Sequence, residues 1–380
     1  MRALGNARVL MDGGFAPGKV VLLDGQRIAA VVDEGDARAA GAPYEDLKGA
    51  WLMPGFVDCQ VNGGGGVLFN DDPSVEAIRT IGAAHRRYGT TSFLPTLISD
   101  DFSVIAQAIA AVRDAIAQRV PGVIGVHIEG PFINELRKGA HDPAKVRGLD
   151  AEGVALLSSL RAGRTLVTLA PEMTKPETLR TLAAAGVAVS AGHTDATYEQ
   201  MTEAFHNGVS GVTHLFNAMS PFGHREPGSV GAALDDPDCW CGLIVDGRHV
   251  HPVALKLALR CKRAERFMLV TDAMPSVGAA ESSFMLQGKL ITVKDGVCVD
   301  ETGTLSGSAI DMATAVKNCV QMLGLPLDRA ARMASTYPAQ FLGVGHELGR
   351  VAPGYRANLV AMDEGYRVRE TWIDGASSRN

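Results

Sequence analysis

A chain of 380 residues with 46% apolar and 21% charged side chains carries enough apolar surface for a large core, which excludes a disordered or fibrous polymer. The formal net charge of −6 argues against nucleic acid or an anionic membrane as a general partner and leaves room only for a local basic pocket that takes a small anion. No N-terminal stretch has the order of a signal peptide and no apolar run is long enough to span a bilayer, so a cytoplasmic location is expected.

From Arg8 to about Trp51 apolar and polar residues alternate around turns, and KVVLLDGQRIAAVVDEG predicts a hairpin with Asp24-Gly25 at its tip. A matching pattern returns in Ala357 to Gly375, with Glu364-Gly365 between its two strands. The expectation is that residues 1–53 and 345–380 pair into one small β-sandwich domain around a single insertion, 54–344.

The insertion alternates strand and helix signals. Eight short apolar runs stand out: Phe56–Cys59, Thr91–Leu94, Ile124–Ile128, Leu166–Leu169, Val187–Ala191, Gly211–Thr213, Gly242–Val245 and Met268–Thr271. Helical spacing separates them, as in Ser74–Tyr88, Phe102–Gln118, Thr197–Asn207 with Thr194 or Asp195 as its cap, and His251–Arg263 with Pro252 in its first turn. Eight β-α units predict a TIM (β/α)8 barrel rather than a doubly wound sheet. After the eighth run, Phe284–Leu305 reads as strand-turn-strand, with turns at Lys294-Asp295-Gly296 and Glu301-Thr302-Gly303, and could cover the barrel rim. Ala309–Leu323 and Leu327–Ala334 read as closing helices. The six cysteines, Cys59, Cys239, Cys241, Cys261, Cys298 and Cys319, form no CxxC pair and are expected as buried small hydrophobes in a reducing compartment.

Active sites of such barrels lie where the strands end. There the third run delivers Glu129, the fifth His193, the sixth His214 and the eighth Asp272. One carboxylate and two imidazoles match a three-ligand catalytic metal site with a position open for water, leaving Asp272 to act as general base or acid. Each residue has a plainer reading: loop histidines, an ion-paired Glu129, Asp272 as a helix cap. Four at the same ends of different strands make coincidence the weaker account.

The motifs LMPGFVDCQVNGGGG, HIEGPF, SAGHTDA, THLFNAM and VTDAM, in this order, resemble the N-acetylglucosamine-6-phosphate deacetylase family of the amidohydrolase superfamily over essentially the whole chain. Two departures from the superfamily pattern bear on the metal. Gln60 and Asn62 stand where most members carry His-x-His, and Ala170-Pro171-Glu172 holds no bridging lysine. Amides are poor zinc ligands, so the resemblance implies one divalent metal per subunit on Glu129, His193 and His214, Zn2+ first, with Fe2+, Co2+ or Mn2+ as alternatives.

The resemblance further implies hydrolysis of N-acetyl-D-glucosamine 6-phosphate to D-glucosamine 6-phosphate and acetate, in amino-sugar catabolism and cell-wall recycling. Asp272 would shuttle the proton. His141, beside Ala140 in LRKGAHDP, would stabilise the carbonyl oxygen, although by residue type alone it reads as an exposed loop residue. Phosphate would be held by His249 and by Arg225 reaching across from the second subunit of a homodimer, with backbone donors near Asn217 and Ala218. The turn Leu305-Ser306-Gly307 would contact the sugar. His224, Arg248 and His251 lie one or two places away and compete for these roles. Alternatives are the galactosamine epimer, another amidohydrolase acting on a cyclic amide, and a non-catalytic barrel scaffold.

Overall fold

The computed structural model describes residues 1–294 and 296–379. Its centre is an eight-stranded parallel sheet of Phe56–Val61, Thr90–Ile98, Gly125–Glu129, Arg164–Leu169, Ala188–Ala191, Val209–Val212, Trp240–Leu243 and Phe267–Leu269, paired in chain order. These eight are the runs read from the sequence. The first three are buried along their whole length, which is why they read as continuous apolar runs rather than as alternation.

The first and eighth strands close the sheet into a barrel. Asp272 N–H donates to the Gln60 carbonyl (3.0 Å) and Asn62 N–H to the Ala273 carbonyl (2.9 Å). Beneath them Asp58, fully enclosed, accepts Thr271 Oγ1–H at 2.6 Å and the Gln60 backbone N–H at 3.2 Å. Burial pushes the Asp58 carboxyl up to about 7 against those hydrogen bonds.

Helices pack around the barrel where expected. Val75–Arg86 starts at Ser74, whose hydroxyl accepts from Ala77 N–H, and Phe102–Ala117 follows the second strand. Tyr198–His206 is capped by Thr197 in a reciprocal box with Gln200, not by Thr194 or Asp195. Those two are committed elsewhere: Thr194 Oγ1 and Asp195 N–H both donate to Glu172 (2.6 and 2.7 Å). Pro252–Cys261 is capped by the His251 side chain. Cys261, the last residue of that helix, is exposed, contrary to the expected burial, whereas the other five cysteines are buried and all six are free. No helix among the described residues is long and apolar enough to cross a membrane.

The chain ends form a seven-stranded sheet in the order Ala376–Ser377, Val368–Ile373, Leu359–Met362, Tyr44–Pro54, Arg2–Met11, Gly14–Asp24, Arg27–Asp33. Leu359–Met362 pairs antiparallel with Trp51–Pro54, so the last strands of the chain zip onto the strand that enters the barrel. Leu4, Val21, Ile28, Leu52, Leu359 and Trp372 share the core of this sheet. The N-terminal hairpin tip and the C-terminal turn touch so closely that a Cβ on Gly375 would stand 2.1 Å from the Gly25 carbonyl oxygen, and Gly375 also has φ +75°.

The excursion after the eighth strand is a four-stranded antiparallel flap, Ser283–Leu286, Lys289–Lys294, Val297–Val299 and Leu305–Ser308. Leu305-Ser306-Gly307 is therefore strand rather than turn, held by the pairing of Val299 with Leu305. Of the turn read at Lys294-Asp295-Gly296, Asp295 lies outside the described residues. The closing helices are Met312–Gln321, delayed to Met312 because Asp311 caps it, and Leu327–Ala334, with a further short helix, Thr336–Phe341.

Candidate active site

Three of the strand ends bend sharply. His193, His214 and Asp272 all have left-handed backbones, with φ of +49°, +33° and +52°. Such conformations cost about 1–3 kcal/mol each and persist only where the surroundings enforce them. Here they turn the side chains inward over the mouth of the barrel, where Glu129 ends the third strand.

Three potential ligand atoms meet at one point. His214 Nε2 lies 3.0 Å and His193 Nε2 3.3 Å from Glu129 Oε1, and the two nitrogens are 3.2 Å apart. Ligands bound at about 2.0–2.2 Å in a tetrahedral site are separated by about 3.3–3.6 Å, so the triangle, drawn slightly tighter, is of the size that takes a small divalent cation. It is the one group of three or more His, Cys, Asp or Glu among the described residues with the proximity a metal ion needs. His193 Nδ1 lies 2.8 Å from the Arg137 carbonyl, which only accepts, so the proton sits on Nδ1 and the Nε2 lone pair is free to bind. Burial alone would raise the Glu129 carboxyl, but its contacts with the His193 and His214 rings hold it well below the usual range. Burial in turn lowers His214, and the Glu129 contact more than reverses this, for a net rise.

Gln60 and Asn62 act as donors instead of ligands. Gln60 Nε2 lies 3.1 Å from each Glu129 oxygen, and Asn62 Nδ2 donates to Asp272 Oδ1 at 2.6 Å. Asn62 Oδ1 is buried without a hydrogen-bond partner among the described residues. Asp272 is pushed up to about 7, first by burial and then by the negative charge of Glu129, against the pull of His214, His249 and Asn62.

His141 is not the exposed loop residue its type suggested. The loop after the third strand folds back over the rim and buries it, with its ring centroid 4.3 Å from that of His193. Ser99 N–H donates to His141 Nδ1 (3.3 Å) and Ser99 Oγ lies 2.6 Å from the same atom. Nδ1 is therefore the acceptor and Nε2 carries the proton. Burial, then the neighbouring His193, holds this imidazole well below its ordinary pKa, in the neutral donor form.

These groups line a cleft of about 210 Å³ that contains Glu129, Ala140, His141, His193, His214, Asn217, Ala218, His249, Asp272, Leu305 and Gly307, with Ile98, Gly139, Met274 and Thr304 completing its walls. His249 is oriented by Asp246, whose Oδ2 lies 2.6 Å from Nδ1. Arg248 and His224 are exposed, and His251 is spent on its helix cap, so of these neighbours His249 is the one that reaches the cleft. Asn217 N–H is already given to the His214 carbonyl (2.9 Å).

Two candidates are not brought in. Ser306 alternates with Leu305 and Gly307 along its strand, is buried, and is not part of the cleft lining. Arg225 is exposed on the loop before the helix Gly228–Asp235, also outside the lining. Sequence reasoning missed Ser99 and Glu172. Ser99 follows the end of the second strand, so the rule that found Glu129 and His193 could have found it. Glu172 was noted only for not being lysine, yet it accepts from Asn134 Nδ2 (3.0 Å), Thr194 and Asp195, and so pins the bend that carries His193.

An amidohydrolase family model matches residues 51–378, and the chain belongs to the amidohydrolase family. It is 43% identical over 338 residues to N-acetylgalactosamine-6-phosphate deacetylase of Shewanella sp. (strain ANA-3), covering 88% of this chain and 85% of that one. It is 37% identical to N-acetylglucosamine-6-phosphate deacetylase of Haemophilus influenzae, covering 95% and 94%. The crystal structure of N-acetylglucosamine-6-phosphate deacetylase from Pasteurella multocida superposes over 100% of both chains with a TM-score of 0.96 at 37% identity.

Proposed function

We propose that this chain is a metal-dependent deacetylase that hydrolyses N-acetyl-D-glucosamine 6-phosphate to D-glucosamine 6-phosphate and acetate. The observation that carries this reading is the Glu129, His193 and His214 triangle with Asp272 in the same cleft. An amide is a poor electrophile and an amine a poor leaving group, so the site must polarise the carbonyl, deprotonate water and protonate nitrogen. Glu129, His193 and His214 would hold one divalent ion, Zn2+ by preference for two nitrogens and one oxygen, which when bound would supply Lewis acidity for the carbonyl and for a water. Asp272 takes the proton of that water and returns it to the departing nitrogen, a double task within reach of a buried carboxyl in the same cleft. His141, neutral with its proton on Nε2, donates to the acetyl oxygen as charge develops there.

The phosphate end rests on His249 and on Arg225 from a second copy of the chain, whose exposure on its own subunit suits a role in trans. The setting this reading implies is cytoplasmic amino-sugar catabolism and cell-wall recycling. The galactosamine epimer is the second reading, favoured by the name of the Shewanella relative. An acetate-release assay on both 6-phosphorylated epimers decides the matter. Faster turnover of the gluco sugar supports the first reading, faster turnover of the galacto sugar the second, and release from neither removes both.

A further inference from the structure

The flap hairpin turns on two residues, Gln287 and Gly288, with φ of +48° and +81° between the paired Leu286 and Lys289. Two left-handed residues define a type I′ turn, which favours asparagine or glycine first because a larger side chain is strained there. Gln287 is tolerated because both ends of its amide are hydrogen-bonded to other parts of the chain. Its Oε1 accepts Asp142 N–H at 2.6 Å and its Nε2 donates to the Ser99 carbonyl at 2.8 Å. Asp142 is the next residue after His141, and Ser99 holds His141 Nδ1. One side chain thus ties together the two backbone segments that aim the imidazole.

The apolar contacts run the same way. Leu286, Ile291 and Cys298 of the flap pack with Ile98 and Met274 of the rim, and Ala140 rests against them. The far strand of this flap contributes Leu305 and Gly307 to the cleft. We infer that Gln287 is a positioning residue for His141: its amide latches the flap to the loop carrying that histidine, so that the sugar-side wall and the carbonyl-oxygen donor are set as one piece. This rests on the deacetylase reading for the role of His141, but not for the latch itself.

Gln287→Gly is the informative variant, because glycine suits the left-handed turn position while the latching side chain is lost. In the metal-loaded full chain, hydrogen exchange should rise in a peptide spanning residues 138–146, which contains the Asp142 N–H, and stay unchanged in the chain-end sheet. The kcat for acetate release should fall about tenfold, as expected for a misplaced donor, with the thermal midpoint and metal content retained. In a His141→Ala background the same change should cost less than about twofold, since the latch then has nothing left to aim. Unchanged exchange in that peptide, or an undiminished loss of kcat without His141, overturns the inference. If the unaltered chain releases no acetate from either epimer, the functional reading fails while the exchange result still decides the latch.

Discussion

At the scale of single residues, the chemistry turns on which protons are held and where. In the proposed reaction Asp272 must be ionised to accept a proton from water, and its carboxyl is raised to about 7 by burial and by Glu129. A bound dication would draw that value down, so kcat/KM should fall on the acid side of a single midpoint at or below pH 7, about tenfold per unit below it. Asp272→Asn should lower kcat by about 10² to 10⁴ with metal content unchanged, checked by acetate release and metal analysis. A variant that kept its activity would assign the base elsewhere. Glu129, His193, His214 and Asp272 were legible because a parallel strand followed at once by an ionisable residue is a local pattern. His141 was not, because its burial depends on a long loop folding back onto a different strand, which leaves no periodic trace.

At the scale of elements, the barrel seam joins stability to the site. Asp58 sits beneath the hydrogen bonds that carry Asp272, and its carboxyl moves from 3.8 to about 7 on folding. A carboxyl raised by folding binds more protons in the native state between those values. Its stabilising contribution is therefore complete below about pH 4 and is lost as pH rises through about 7. Asp58→Asn removes the buried charge while its remaining oxygen can still accept the Gln60 and Thr271 backbone N–H groups, so its thermal midpoint should gain on the unaltered chain between pH 5 and pH 8. Parallel melting curves across that range check this, and an unchanged difference would show that Asp58 does not titrate on unfolding. The eight strands and their helices were readable because full burial and 3.6-residue spacing leave different marks on sequence. The flap was read as two strands with a terminal turn, because its short exposed strands lack a buried stripe and Leu305 to Ser308 pairs only through a bulged register.

At the scale of the whole molecule, the pairing of the chain ends was suggested by two hairpin patterns and made by the zipping of Leu359–Met362 onto Trp51–Pro54. The proposed contribution of a second copy is invisible to periodicity, since Arg225 looks like any solvated arginine. The dimer reading predicts complementation. Arg225→Ala should raise KM for the phosphorylated sugar about tenfold or more, and mixing it with inactive Asp272→Asn chains should recover activity, because a hybrid pair has one intact aspartate served by an intact arginine from across the interface. No recovery after verified subunit exchange would place Arg225 outside the neighbouring site.

The claim beneath all of these is that a single cation on Glu129, His193 and His214 makes the cleft reactive. The most direct measurement is acetate release from N-acetyl-D-glucosamine 6-phosphate by chain stripped of metal and titrated with Zn2+. Activity should start near zero and saturate at one equivalent per chain, with His193→Ala and His214→Ala failing to respond at that stoichiometry. Full activity in the stripped chain, or a rise that needs two equivalents, would contradict it.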